Sequence, residues 1–261
     1  MRINLQGQRA LVGGATSGLG KAIAVQLAHC GADITLMARN REKLEALLHV
    51  LPQQTGQQHD YLVVDFDNFE DYQYRVQAYF DHKTADILIN NTQGPAAGAA
   101  LAKDVGDYQQ AFDLLFKTYV FTTSLALEGM QRKKHGRIIN VSSTSVKEPL
   151  PNMALSNSLR AAVINWAKTL AAEVAPDGIT VNNILTGSFD TERLKSLHEK
   201  QAAQQGVDLE DWRQQAAEKI PMKRFGKPEE YGYLSAFLAS EYAAYITGTN
   251  IPIDGGALRS I

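Results

Sequence analysis

The chain carries one cysteine, Cys30, in 261 residues. No intrachain disulfide can form, and a reducing, cytoplasmic location is the expectation. Cys30 falls on an expected helix among apolar residues and reads as packing rather than as a nucleophile. No stretch approaches the roughly 18 to 20 apolar residues that span a bilayer, and no apolar leader opens the sequence, so no membrane partner is expected. Charge is nearly balanced, with 26 Lys+Arg against 28 Asp+Glu and a net charge of −2. That excludes the broad basic face that binds nucleic acid. The single basic run, Arg132 to Arg137, reads as a helix end neutralised by cations and stopped by Gly136. Six histidines (His29, His49, His59, His82, His135 and His198) are scattered, and none stands at ligand spacing from Cys or carboxylates, so no metal is expected.

What the sequence does contain is an alternation of two apolar patterns. Short apolar runs lie at 9–13, 33–38, 61–64, 85–90, 136–141, 179–185 and 250–253. Between them, helical periodicity covers 21–30, 41–51, 107–134, 156–174 and 229–239. Strands alternating with helices predict a single-domain Rossmann fold over residues 1–261: a doubly wound, mostly parallel seven-stranded sheet with helices on both faces. No repeat, linker or low-complexity tract divides it. The polar stretch 192–220 is too long for a simple connection and predicts one or two amphipathic helices, with Leu194, Leu197, Val207, Leu209 and Trp212 as the apolar side.

The first strand runs directly into Gly13-Gly14-Ala15-Thr16-Ser17-Gly18-Leu19-Gly20, and a helix follows. Glycines let the backbone turn tightly and approach a pyrophosphate. The helix N-terminus then offers free N–H groups and a positive dipole end. Gly14, Thr16, Ser17, Gly18, Leu19 and Gly20 are therefore the candidate phosphate-binding residues. The end of the second strand, where a dinucleotide fold usually carries an acid for the ribose diol, holds Ala38-Arg39-Asn40 instead. Arg39 can take a 2′-phosphate bidentately, which favours NADP(H) over NAD(H).

The spacing Gly14-x3-Gly18-x-Gly20 differs from GxGxxG and resembles that of the short-chain dehydrogenase/reductase family. More of the family pattern follows in order. Asp65-Phe66 matches its adenine-contacting position, and Asn90-Asn91-Thr92-Gln93-Gly94 resembles its Asn-Asn-Ala-Gly motif. Gly136 to Ser143 resembles its serine-bearing strand. Thr186-Gly187, with Phe189 and Asp190-Thr191 after it, resembles the segment beside the nicotinamide. Arg224-Phe225-Gly226-x-Pro228-Glu229-Glu230 and Ile246-Thr247-Gly248…Asp254-Gly255-Gly256 resemble its C-terminal signatures. The resemblance covers essentially the whole chain and lies near the acyl-carrier-protein ketoreductases. It implies that Asp65, Phe66, Asn91, Gly187, Phe189 and Thr191 contact the cofactor, and that the protein is a homo-oligomer, a dimer or tetramer.

The family's chemistry uses a serine, a tyrosine, a lysine four residues later and an asparagine on an earlier helix. In this sequence the serine place holds Ser143. The tyrosine place holds Ser156, the lysine place Arg160 and the asparagine place Leu115. Serine is a far weaker acid than tyrosine, arginine stays protonated, and leucine cannot hold a relay water.

Two readings follow. The protein is an NAD(P)H-dependent oxidoreductase acting on a carbonyl/alcohol pair of a small-molecule substrate, with Ser143, Ser156 and Arg160 at the reacting oxygen and Lys147 as a substitute acid. Alternatively, it binds a dinucleotide without carbonyl reduction, as a sensor or scaffold subunit. Arg160 would hold the nicotinamide ribose in either case. Residues 192–220 are the expected substrate lid. Lys103, Lys147 and Arg193 are the cations that could meet an acidic substrate, beside an uncharged wall at Gly94-Pro95-Ala96-Ala97-Gly98.

Overall fold

A computed structural model describes residues 2–260 with the exception of Thr55. Seven strands pair in parallel: β1 (Arg9–Gly13), β2 (Asp33–Ala38), β3 (Asp60–Val63), β4 (Ile87–Asn90), β5 (Gly136–Val141), β6 (Ile179–Thr186) and β7 (Asn250–Ile253). Their order is 3-2-1-4-5-6-7. Helices α1 (Gly18–His29), α2 (Arg41–Val50), α3 (Phe69–Phe80), α4 (Val105–Ala111), α5 (Thr118–Lys133), α6 (Ala154–Val174), α7 (Glu192–Gln205), α8 (Leu209–Glu218) and α9 (Pro228–Ala239) connect them. The chain reverses direction across the sheet between β1 and β4, which opens the crevice where this architecture binds ligands.

The central strands are buried along nearly their whole length because helices cover both faces. One face packs on α1, α2 and α9 through Ile23, Leu27, Leu44, Leu47, Tyr231 and Leu238. The other packs on α3 to α6 through Tyr72, Val76, Leu115, Met130, Leu159 and Val174. No helix among the described residues is long and apolar enough to cross a membrane. Cys30 caps the end of α1, half-buried, and burial pushes its thiol pKa up, away from nucleophilic behaviour at neutral pH.

Three expectations needed correction. The helix expected over 107–134 is interrupted, because residues Phe112–Lys117 form a π-helical turn between α4 and α5. The Thr118 hydroxyl donates to the Asp113 carbonyl five residues back at 2.7 Å, a contact that fits the wider turn. Helix α3 had no counterpart in the sequence pattern. Asn68 caps it by accepting from the Asp71 N–H, and its inward face is Tyr72, Val76 and Tyr79. The basic run does end a helix, but Lys134, with φ 53°, terminates α5 two residues before Gly136. Its cations have specific acids: Lys133 pairs with Asp86, Lys134 with Asp177 and buried Arg137 with Glu241.

A ladder of amides, buried at Asn90, Asn140 and Asn183 and exposed at Asn250, crosses half the sheet. Asn90 donates to Asn140 at 2.8 Å, Asn140 to Asn183 at 2.9 Å and Asn183 to Asn250 at 2.8 Å. These four residues are register partners on β4, β5, β6 and β7. Each amide satisfies the next, so the polar atoms carry little burial penalty while the register is pinned. Replacing Asn140 with Ala removes two links and leaves a buried acceptor on Asn183 without its donor. The expected loss is about 2–4 kcal/mol of stability, read from the urea midpoint; a loss below about 0.5 kcal/mol would show that the ladder does not stabilise the sheet.

Candidate active site

The β1–α1 turn lies against the loop that follows β4. Gly14 and Gly18 take left-handed φ of 57° and 51°. The Asn91 amide donates to the Gly13 carbonyl at 3.0 Å. A Cβ on Gly13 would sit 2.3 Å from the Asn91 carbonyl oxygen, and one on Gly20 would sit 2.2 Å from that of Gly14. A side chain at Gly13 or Gly20 has no room, so the turn is narrow and lined by main chain and the Asn91 amide. Ser17 stands at the N-cap of α1 without using its hydroxyl to cap, and the first turn carries no acid. The helix end is therefore open to an anion, which fits a dinucleotide pyrophosphate. Thr191 flanks the turn from the other side, its methyl 3.3 Å from where a Gly18 Cβ would be.

At the far end of the turn, Arg39 is half-exposed and lies 3.2 Å from Asp67 and 3.7 Å from Asp65. Both acids stand beyond β3, and Arg39 is the cation they share. A 2′-phosphate would have to draw Arg39 from these carboxylates. It brings a larger charge and more acceptor oxygens than either one.

At the opposite end, α6 carries Ser156 and Arg160 one helical turn apart, on the side that packs against the turn after β5. Arg160 Nη1 donates to the Val141 carbonyl at 2.6 Å. Ser143 accepts from the Ser145 N–H at 3.1 Å, which leaves its own proton free to donate. Ser156 is buried in the first turn of α6. Leu115 is fully buried inside the π-helical turn, so the expected relay position is apolar.

One polar residue at this end escaped the sequence reading. Tyr119, on α5, is buried, and its hydroxyl donates to the same Val141 carbonyl at 3.3 Å. Burial pushes its phenol pKa up, while the adjacent Arg160 guanidinium and Thr92 pull it down. Two donors from two helices thus meet on one strand-end carbonyl, which fixes the position of Arg160. The only signal in the sequence is a tyrosine one helical turn after Leu115, with nothing nearby in the chain to set it apart.

With that geometry in view, comparison with known proteins shows the family and the fold. A family profile described as Enoyl-(Acyl carrier protein) reductase matches residues 14–257. The chain is 33% identical over 256 residues to the NADPH-dependent reductase BacG of Bacillus subtilis, covering 97% of this chain and 98% of that one. It is 31% identical over 256 residues to the 3-oxoacyl-[acyl-carrier-protein] reductase FabG of Rickettsia prowazekii, covering 98% and 99%. The crystal structure of L-sorbose reductase from Gluconobacter frateurii, complexed with NADPH and L-sorbose, superposes with a TM-score of 0.93 at 30% identity over 100% of both chains. The chain belongs to the short-chain dehydrogenase/reductase family.

In this family member the remaining candidate residues divide by environment. Phe66 and Phe189 are buried with their rings against Tyr72 and Tyr231, so only their backbones are available to a cofactor. Gly187 donates its N–H to the Ile253 carbonyl and ties the β6 end to β7. Lys147 is exposed just past the short 144–146 turn and has no side-chain partner among the described residues. Residues 192–220 form two helices, as the polarity suggested, but the inward face of α7 is His198 and Ala202, with Leu197 largely exposed. The helix pair is anchored by Arg213 on Asp190 at 2.7 Å and by His198 against the Phe225 ring.

The buried tyrosines set an alkaline limit. Burial raises Tyr72, Tyr119 and Tyr231 above their ordinary value near 10. In the unfolded chain they ionise near pH 10, while in the folded protein they keep their protons. Stability from these groups is therefore fully present below about pH 9 and falls as pH rises past about 10. Urea unfolding from pH 8 to 11 should show that fall, with a shallower slope in Tyr119→Phe; an unchanged slope would mean that Tyr119 does not contribute to it.

Proposed function

We propose that the protein is an NADP(H)-dependent oxidoreductase that interconverts a carbonyl and an alcohol with a reduced set of catalytic groups. The observation that carries this reading is the conjunction of an open, glycine-lined anion seat at one end of the crevice with Arg160 and Ser143 at the other. The 2′-phosphate preference rests on Arg39, and the NADPH named with BacG and with L-sorbose reductase supports it.

When bound, the dinucleotide supplies a hydride to the carbonyl carbon. The protein's own groups then deal with the negative charge that develops on oxygen. Arg160 is held by Val141 and remains protonated throughout, so it stabilises an alkoxide without giving up a proton. Ser143 has a free hydroxyl proton to donate toward the same oxygen. Ser156, one turn before Arg160, is too weak an acid to replace a phenol, so the final proton comes from water or from an exposed acid. Lys147 is the one named in the sequence, and its solvated position suits exchange with bulk water more than direct contact with substrate. Helices α7 and α8 would close over the strand ends as a lid.

A second reading rests on the same substitutions at Leu115, Ser156 and Arg160: the chain binds NADP(H) as a sensor or scaffold subunit and turns over no carbonyl. The homo-oligomer expected from the family accommodates either reading.

A fluorescence titration with NADPH and NADH, paired with a screen of ketones and aldehydes, separates the two readings. The expectation is tighter binding of NADPH than NADH. In Arg39→Gln that preference falls by about ten- to a hundredfold, with NADH affinity unchanged. Turnover should be lost in Ser143→Ala and Arg160→Ala. Tight NADPH binding with no turnover of any carbonyl supports the second reading, and tighter binding of NADH overturns the role given to Arg39.

A further inference from the structure

Of the three cations that could meet an acidic substrate, two are accounted for. Lys103 is paired with Asp107 at 3.4 Å and is nearly buried, and Lys147 stands exposed away from any partner. Arg193, in the first turn of α7, is the exception. Its guanidinium lies over the bare Cα of Gly94: a Cβ there would be 2.5 Å from Nη2, 2.8 Å from Nη1 and 3.0 Å from Cζ. A side chain at position 94 would push the guanidinium out of this place. Arg193 as a whole is exposed, while its guanidinium end is desolvated enough to lower its pKa, and the like charge of Arg160 lowers it further.

No carboxylate among the described residues pairs with Arg193 or Arg160. Other arginines near the lid are paired, Arg213 with Asp190 and Arg224 with Glu230, each at 2.7 Å. The wall beside Arg193 is uncharged, from Gly94 to Gly98. Two cations without a counter-ion repel one another, and an anion placed between them relieves that cost. Arg160 spends one N–H on Val141 and Arg193 spends none, so donors remain for a bidentate contact.

We propose that Arg193, packed on Gly94, is the carboxylate-binding residue of the substrate site, and that the substrate is an oxo acid. This rests on the carbonyl-reducing reading above. Arg160 takes the oxygen that becomes the alkoxide, and Arg193 takes the neighbouring carboxylate, which sets the orientation of the carbonyl face. The competing source of negative charge is the cofactor pyrophosphate, because α7 begins beside the β1–α1 turn.

The test uses the full chain, 2-oxo acids with their methyl esters, and the variants Arg193→Gln and Arg193→Lys. The wild type should favour acid over ester in kcat/KM by about tenfold or more. Arg193→Gln should lower acid kcat/KM by about tenfold more than ester kcat/KM, which erases the preference, and Arg193→Lys should restore part of it. A wild type without the preference, or a preference that survives in Arg193→Gln, overturns the proposal. A tenfold loss of NADPH affinity in Arg193→Gln also overturns it and assigns the charge to the cofactor. If no carbonyl is reduced, calorimetry of a 2-oxo acid on the NADP+ complex decides the matter. Binding that Arg193→Gln abolishes retains the carboxylate site while the carbonyl reading fails, and absence of binding overturns the site as well.

Discussion

The site depends on how closely the β1–α1 turn approaches the loop after β4. Asn91 bonds the Gly13 carbonyl, and the backbone contacts of Gly13 and Gly20 leave no room for a methyl group. That contact has two consequences. It aims the open end of α1 into the crevice, where a pyrophosphate can be held by main-chain N–H groups alone. It also fixes the start of the 92–98 loop, so Thr92 comes to lie beside Tyr119 and Gly94 beneath Arg193. The cofactor seat and the substrate end thus share one anchor.

The asparagine ladder does for the other half of the sheet what Asn91 does for this half. By pinning β4 to β7 in register, it places the ends of β5 and β6 level with one another. Val141 then presents its carbonyl to Arg160 and Tyr119 at the crevice floor. On the proposed reading, a guanidinium in this place would keep the electrostatic part of the family's chemistry without the proton-passing part. Cofactor binding and proton transfer are separable on that reading, because the first would use main-chain features of the β1–α1 turn and the second would use the side chains at Leu115, Ser156 and Arg160.

Much of this was legible in the sequence, and the reasons differ by feature. The strands showed because parallel strands buried on both faces are short unbroken apolar runs, and four of the seven, β1, β2, β5 and β7, have the expected bounds. The turn showed because its glycines answer a steric demand that no other residue meets. Helix α3 did not show, because its inward face is two tyrosines and a valine among charged residues, too polar for an apolar stripe. The π-helical turn did not show either, since it keeps helical periodicity and adds one residue per turn. Tyr119 and the amide ladder were illegible for another reason: each gains its meaning from partners far away in sequence. Arg193 was visible as one of three cations, and only its place over Gly94 sets it apart.

A crystal structure of the NADPH complex tests most directly whether the cofactor seat survives the loss of the tyrosine and lysine. The pyrophosphate is expected on the main chain between Gly14 and Gly20, the 2′-phosphate on Arg39 drawn away from Asp65 and Asp67, and the nicotinamide ribose within hydrogen-bond reach of Arg160. A nicotinamide ribose held away from Arg160, or a 2′-phosphate free in solvent with Arg39 still on its carboxylates, would contradict that expectation.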